Sequence, residues 1–347
     1  MVQDTEGRQK GMERRDFLKW MGAMGGAAAL PSPLHAASKE LYPAGDISFI
    51  CYSQPGGGFD TMARGSAPFL AKALREVSRG AKGGNIQVKN MTGGAGAKAA
   101  YYLFNDARPD GYTIGDLNRG SFYKFMLTAD KLPFDLRKFT YLYSPSNSNR
   151  ILVSGKRSGI NSWESMVAKS KKSPLTFAVS TVGGSEHLDT IYVVEATGIP
   201  SQLTKWGSTS QTDAALIRGD VDVALASYDS MRSLIDAKEV NFLVSFTKER
   251  LVPTVPTIVE KGFPKVASYV GGPGRGMVIA PPNLDPEVKR IFVAAARKMI
   301  VDPGFLSFCE KTGTDLEPLF DQELEEYVKG IIKFYTEMAP IYKKYGL

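Results

Sequence analysis

Strand-like and helix-like patterns alternate almost without a break from residue 47 onward, and this alternation most constrains the fold. Ile47–Tyr52 reads as a strand, Asp60–Val77 carries apolar residues at helical spacing, and Ile86–Lys89 is a second strand. Thr92-Gly93-Gly94 opens a helix over Ala95–Phe104, and Tyr112–Leu117 is a third strand. A second cycle follows: strand Ile151–Val153, helix Ser162–Lys169, strand Leu175–Val179, helix His187–Ala196, strand Gln202–Lys205, helix Gln211–Ile217, strand Val221–Ala226, a short helix near Met231 and strand Asn241–Phe246. Such a series predicts mainly parallel sheet with helices on its faces.

The stretch Val252–Gly276 is rich in Pro and Gly and reads as a connection between lobes. Beyond it lie strand Met277–Ala280, helix Pro286–Ile300 and a long final helix from about Gln322. Leu324, Val328, Ile331, Tyr335 and Met338 form a stripe on that helix, interrupted by Pro340. Too short for a coiled coil, the stripe is expected to dock on its own domain.

Two strand-to-helix junctions turn on glycines. The first is Ser53-Gln54-Pro55-Gly56-Gly57-Gly58-Phe59-Asp60-Thr61; the second is Ser180-Thr181-Val182-Gly183-Gly184-Ser185-Glu186-His187. Each directs unpaired backbone N–H groups and the positive end of a helix dipole toward one spot, which suits an anion. Two such spots point to a small acidic ligand held where two lobes or loops converge.

At 347 residues, 43% hydrophobic and 23% charged, the chain has room for about two domains. No segment approaches the roughly 20 apolar residues of a membrane-spanning helix. Residues 1–37 read as an export signal: Arg14-Arg15-Asp16-Phe17-Leu18-Lys19, an apolar stretch from Trp20 to Leu30, and a small-residue end at Leu34-His35-Ala36-Ala37. This twin-arginine pattern predicts a mature protein free in the periplasm. Removing residues 1–36 takes five of 43 Lys/Arg and four of 36 Asp/Glu, leaving a net charge of about +6. The basic residues are scattered, and the densest group, Lys169, Lys171 and Lys172, reads as a solvated helix face; no nucleic-acid partner is expected. Cys51 and Cys309 both lie in apolar patterns and read as buried free thiols, with a disulfide as the alternative.

The residues offer little for catalysis. His187 is the one histidine of the mature chain, so a histidine-based metal site is not expected, nor any cofactor. There is no Gly-x-Ser-x-Gly elbow, no Walker-type phosphate loop and no complete Gly-x-Gly-x-x-Gly fingerprint. Binding is the better-supported reading. His187 either orients its helical turn or contacts a bound carboxylate. Asp60 fits an N-cap, or selects a ligand bearing an amine or hydroxyl. Arg119, in Asn118-Arg119-Gly120-Ser121, is placed to pair bidentately with a ligand carboxylate or to lie on the surface. Trp206-Gly207-Ser208-Thr209 again follows a strand and opens a helix, where the indole walls a pocket or packs.

With these segments in view, the chain resembles a Bug-type solute-binding receptor of the tripartite tricarboxylate transporters. The matching segments are Gln54–Arg64, Val88–Gly96, Ala107–Ile114, Gly183–Leu188, Gly219–Val223 and Val255–Gly262, in order over nearly 300 residues. The resemblance implies a two-lobed α/β fold of the periplasmic binding type (type II-like), each lobe a mainly parallel sheet flanked by helices. Lobe one would be 39–147 plus 250–347 and lobe two 148–249, with two crossover segments as a hinge. It also implies that two strand-to-helix loops hold the ligand's carboxylate, often through waters. The candidate ligand-binding residues are therefore Pro55, Gly56, Gly57, Gly58, Phe59, Asp60, Thr61, Asn118, Arg119, Ser180, Thr181, Gly183, Gly184, Ser185, His187, Trp206 and Ser208. Trp206 and Asn118-Arg119 depart from the family's usual residues and are expected to reshape the pocket. The implied partners are a small organic acid and the membrane permease subunits, with the receptor a monomer. An enzyme on the same scaffold, or a ligand-sensing partner of a membrane signalling protein, is the alternative.

Overall fold

The computed structural model describes residues 41–79, 81–127, 133–180, 182–273 and 276–347; the expected export signal and Thr181 lie outside them. Two sheets organise the chain. The first holds β1 (Ile47–Cys51), β2 (Ile86–Asn90), β3 (Thr113–Leu117), β4 (Thr140–Ser148), β10 (Gly272–Pro273), β11 (Met277–Ala280) and β12 (Leu316–Phe320). Its order is β10-β4-β11-β3-β1-β2, with β12 also on β4. The second holds β5 (Arg150–Gly155), β6 (Leu175–Val179), β7 (Ser201–Lys205), β8 (Val223–Ser227) and β9 (Val240–Ser245), in the order β7-β6-β8-β5-β9.

The expected βα alternation accounts for the parallel part of each sheet: β1 with β2 and β3, and β6 with β7 and β8. Both sheets are nevertheless mixed. Strands that carry the chain across or bring it back, namely β4, β5, β9 and β11, pair antiparallel with their neighbours. Between β4 and β5 stands only Asn149, so the chain passes from one sheet directly into the other.

The helices follow from spacing. In α1 (Gly58–Val77), Ala63, Ala67, Leu70, Ala71 and Leu74 recur every three or four residues and are buried. They face α9 (Pro286–Met299), which contributes Phe292, Ala295, Ala296 and Met299 to the same core. Each such Leu or Phe contributes roughly 1.5–3 kcal/mol by leaving water. The final helix, α11 (Asp321–Lys344), runs through Pro340 rather than stopping there. Its stripe docks on β4 and on α3 (Arg119–Leu127), and Tyr342 beyond the proline is also buried.

The second body extends further than residue 249. Ile258, Val266 and Val270 are buried with Leu152, Trp163, Phe177 and Leu225, so the Pro/Gly-rich stretch packs on the second sheet through α8 (Pro264–Tyr269) before the chain returns. Cys51 and Cys309 are free and buried.

Phe177 is fully enclosed in the second sheet's core. Phe177→Ala is expected to cost about 3–5 kcal/mol, seen as a lowered urea midpoint. An unchanged midpoint would contradict this packing.

Candidate functional site

Both glycine turns end in helices whose first N–H groups lack a side-chain cap. In the first, Gly56 turns with φ +77° and Gly57 is the N-cap, with extended backbone. In the second, Gly183 has φ +74° and Gly184 is the N-cap of α5 (Ser185–Thr197). By contrast Ser208 caps α6 (Thr209–Arg218) by accepting from Gln211 N–H at 3.3 Å, so its hydroxyl is structural.

Asp60 is not the N-cap expected for it. It sits inside the first turn, buried, and folds back to accept from Gly56 N–H (2.9 Å), Asn90 Nδ2 (2.7 Å) and Arg64 Nε (3.0 Å). Burial acts to raise its carboxyl, but these hydrogen bonds prevail and hold it below the ordinary carboxylate value. Asp60 thus fastens the turn to α1 and β2. Pro55, Gly56, Gly58 and Thr61 are exposed at this turn, while Phe59 packs against Tyr52 with ring centroids 5.0 Å apart.

His187 orients the second turn. Its Nδ1 accepts from Gly183 N–H at 3.0 Å, and the ring is buried. Burial, with Lys205 adding to it, pushes the imidazole down to about 4, so it is neutral near pH 7. Ser180 Oγ donates to Glu186 at 2.6 Å, and Ser185 Oγ accepts from Arg150 at 2.9 Å.

A third helix start joins the two. Asn118 Oδ1 accepts from Ser121 N–H at 2.8 Å, fixing the first turn of α3, and its amide reaches the Tyr52 hydroxyl. Gly120 lies flat against the backbone of Ser185, where a Cβ would fall 2.5 Å from the Ser185 nitrogen. A chain of contacts therefore runs from Phe59 through Tyr52 and Asn118 to α3, and on to the start of α5 in the other body.

Arg119 does not face open space for a ligand carboxylate. Its guanidinium grips both oxygens of Asp189 (2.5 and 2.7 Å) and the carbonyls of Tyr269 (2.8 Å) and Gly271 (2.5 Å). Trp206 donates from Nε1 to Thr204 at 3.0 Å and borders an open depression of about 450 Å³ with Lys205, Ser210, Gln211, Ala214 and Arg218. A second depression of about 450 Å³ lies along α1, between Arg64, Arg75 and Asn85. Neither is lined by the two glycine turns.

Sequence reasoning missed several charged residues. Arg150, buried at the start of β5, pairs with Asp189 and Glu186. Asp116, buried in β3, accepts from Tyr52 N–H at 3.0 Å, and burial pushes its carboxyl up to about 7. Asp213, on α6, is pushed up to about 6 by burial and then by the charge of Glu186. A signal existed for two of them: Arg150 and Asp116 are charged residues inside apolar strand patterns. The thiol of Cys51 is raised to about 11 by burial and by Asp116, which suppresses the thiolate. Among the described residues no group of three or more His, Cys, Asp or Glu is arranged to hold a metal ion.

The family model described as "Tripartite tricarboxylate transporter family receptor" matches residues 71–347, and a twin-arginine translocation signal matches residues 11–31. The chain is 24% identical over 283 residues to the protein BugT of Bordetella pertussis, covering 80% of this chain and 82% of that one. Among solved structures it resembles MatC of Rhodopseudomonas palustris with bound malate (TM-score 0.68, 20% identity, 85% of this chain and 99% of that one). It also resembles an R. palustris protein with adipate (TM-score 0.70, 20% identity, 86% and 98%). These likenesses confirm the two-lobed binding-protein fold, and the signal directs the protein to the periplasm by the twin-arginine route.

The depressed His187 value implies a pH effect on stability. Between about 6.5, its ordinary value, and about 4, the unfolded chain binds a proton that the folded one does not. This contribution is complete above that window and is lost as pH falls through it. The lead of wild type over His187→Gln in denaturation midpoint should shrink from pH 7 to 4.5, because the variant falls less steeply. An imidazole titrating near its ordinary value by NMR would refute this.

Proposed function

The chain belongs to the tripartite tricarboxylate transporter receptor family, and on that premise we propose that it captures a small organic carboxylate between its lobes and delivers it to the permease subunits of such a transporter. The observation that carries this reading is the pair of glycine-started, uncapped helix ends at Gly57 and Gly184, joined through Tyr52, Asn118 and Gly120. The backbone amides of Gly58, Phe59, Gly184 and Ser185, at the starts of α1 and α5, are the proposed donors to the carboxylate, directly or through water, while those of Gly56 and Gly183 are held by Asp60 and His187 and shape the two turns. Pro55, Ser180 and the Trp206 indole shape the surroundings. Bound malate and adipate in proteins of the same fold make dicarboxylates the first class to test.

Helix ends contribute roughly 0.3–1 kcal/mol each to anion binding when exposed and up to about 2 when partly buried. Micromolar affinity needs about 8 kcal/mol. The difference must come from hydrogen bonds and from burial of the carboxylate between the lobes, which the crossovers at Asn149 and before β10 join. The reading is of binding without chemical change: His187 is neutral and committed to Gly183, and Cys51 is a protonated thiol. The receptor is proposed to act as a monomer.

Calorimetry on the mature protein with malate, adipate, citrate and benzoate tests this. At least one carboxylate should bind, and Gly184→Val and Asp60→Ala should each weaken it tenfold or more, about 1.4 kcal/mol, with circular dichroism unchanged. Folded variants that retain full affinity would remove these loops from the site.

A further inference from the structure

Asp189, on α5 one turn beyond Ser185, is buried and held by two arginines. Arg119 of α3 takes both its oxygens, at 2.5 and 2.7 Å, and Arg150 Nε reaches Oδ2 at 3.1 Å. These arginines belong to different parts of the molecule. Arg119 lies in the first lobe and also donates to the carbonyls of Tyr269 and Gly271, on the return crossover. Arg150 is the first residue after the outward crossover and extends to the start of α5, donating to Ser185 Oγ (2.9 Å), Glu186 (3.2 Å) and, from β8, Ser227 Oγ (2.7 Å). One carboxylate thus joins the first lobe, both crossovers and the helix that begins at the second glycine turn.

We propose that Asp189, with Arg119 and Arg150, is the positioning element that closes the lobes and sets the second glycine turn against the first; this rests on the solute-binding reading above. Asp189 has both oxygens bonded by arginines of the protein itself, one from each side of the outward crossover. Separating the lobes would strand a buried charge, which favours two discrete arrangements over a continuum. Because Arg150 bonds both Asp189 and Ser185, the turn and the closure move together. Glycine at 120 completes the device: α3 meets the Ser185 backbone too closely for any side chain.

Small-angle scattering and calorimetry on the full mature protein test this, using wild type, Asp189→Asn, Arg119→Lys and Gly120→Ala. Gly120→Ala leaves the ionic network's own residues intact and improves helix propensity, so it wedges the lobes apart without disturbing either. Wild type without added carboxylate should scatter as the compact form and change little with malate or adipate. Gly120→Ala and Asp189→Asn should have a larger radius of gyration and bind at least tenfold more weakly, with Arg119→Lys intermediate. Should Asp189→Asn fail to fold, Gly120→Ala carries the test. A wild type that is extended without ligand, or a folded Gly120→Ala with unchanged scattering, overturns the proposal. Failure of every carboxylate to bind would count against the solute-binding reading, while the scattering comparison would still decide whether this network closes the lobes.

Discussion

A carboxylate buried between two guanidinium groups is the contact on which the arrangement of this molecule depends. Removing one partner of a buried pair costs about 3–5 kcal/mol, because the remaining charge has no water to return to. The Arg119–Asp189–Arg150 network therefore obliges α3, α5 and the start of β5 to meet. Other contacts between the bodies are more forgiving. Tyr269 stacks on Phe334 of α11 at 4.4 Å, Tyr192 meets the same ring edge-on at 5.3 Å, and Lys344 reaches Glu195 at 2.8 Å. These lie on a partly exposed flank, where ion pairs contribute little.

What could be read from the residues follows the range of the forces involved. The glycine turns, the α1 stripe and the α11 stripe are local patterns, and each yields the element expected of it. Register between distant segments is not local. Nothing around Arg119 announces an acid at position 189, so a residue suited to grip a ligand's carboxylate proved to grip the protein's own. Asp60 misled for a nearer reason. A capping residue and a third-position acid that folds back on the turn differ by three places, and three adjacent glycines leave the helix start free to slide. Mixed strand direction escaped notice because β4 and β5 form one extended run split between two sheets, which period-two patterning cannot reveal.

Anion capture by backbone amides succeeds only if nearby acids do not repel the guest. Around the two turns the acids are disposed of in two ways. Asp60, Asp189 and Glu186 are each paired with an arginine, which cancels their charge locally. Among the described residues Asp116 and Asp213 have no arginine partner, and burial instead pushes them up to about 7 and about 6, so part of the Asp116 charge is absent near neutrality while Asp213 stays mostly ionised. What remains uncompensated is the positive end of α1 and of α5, each begun by glycine, with no side chain competing for its amides. Side-chain cations would bind an anion more strongly but would collapse onto these same acids, as Arg119 and Arg150 have done. Helix ends cannot move to do so, which suits them to the role proposed for the two turns.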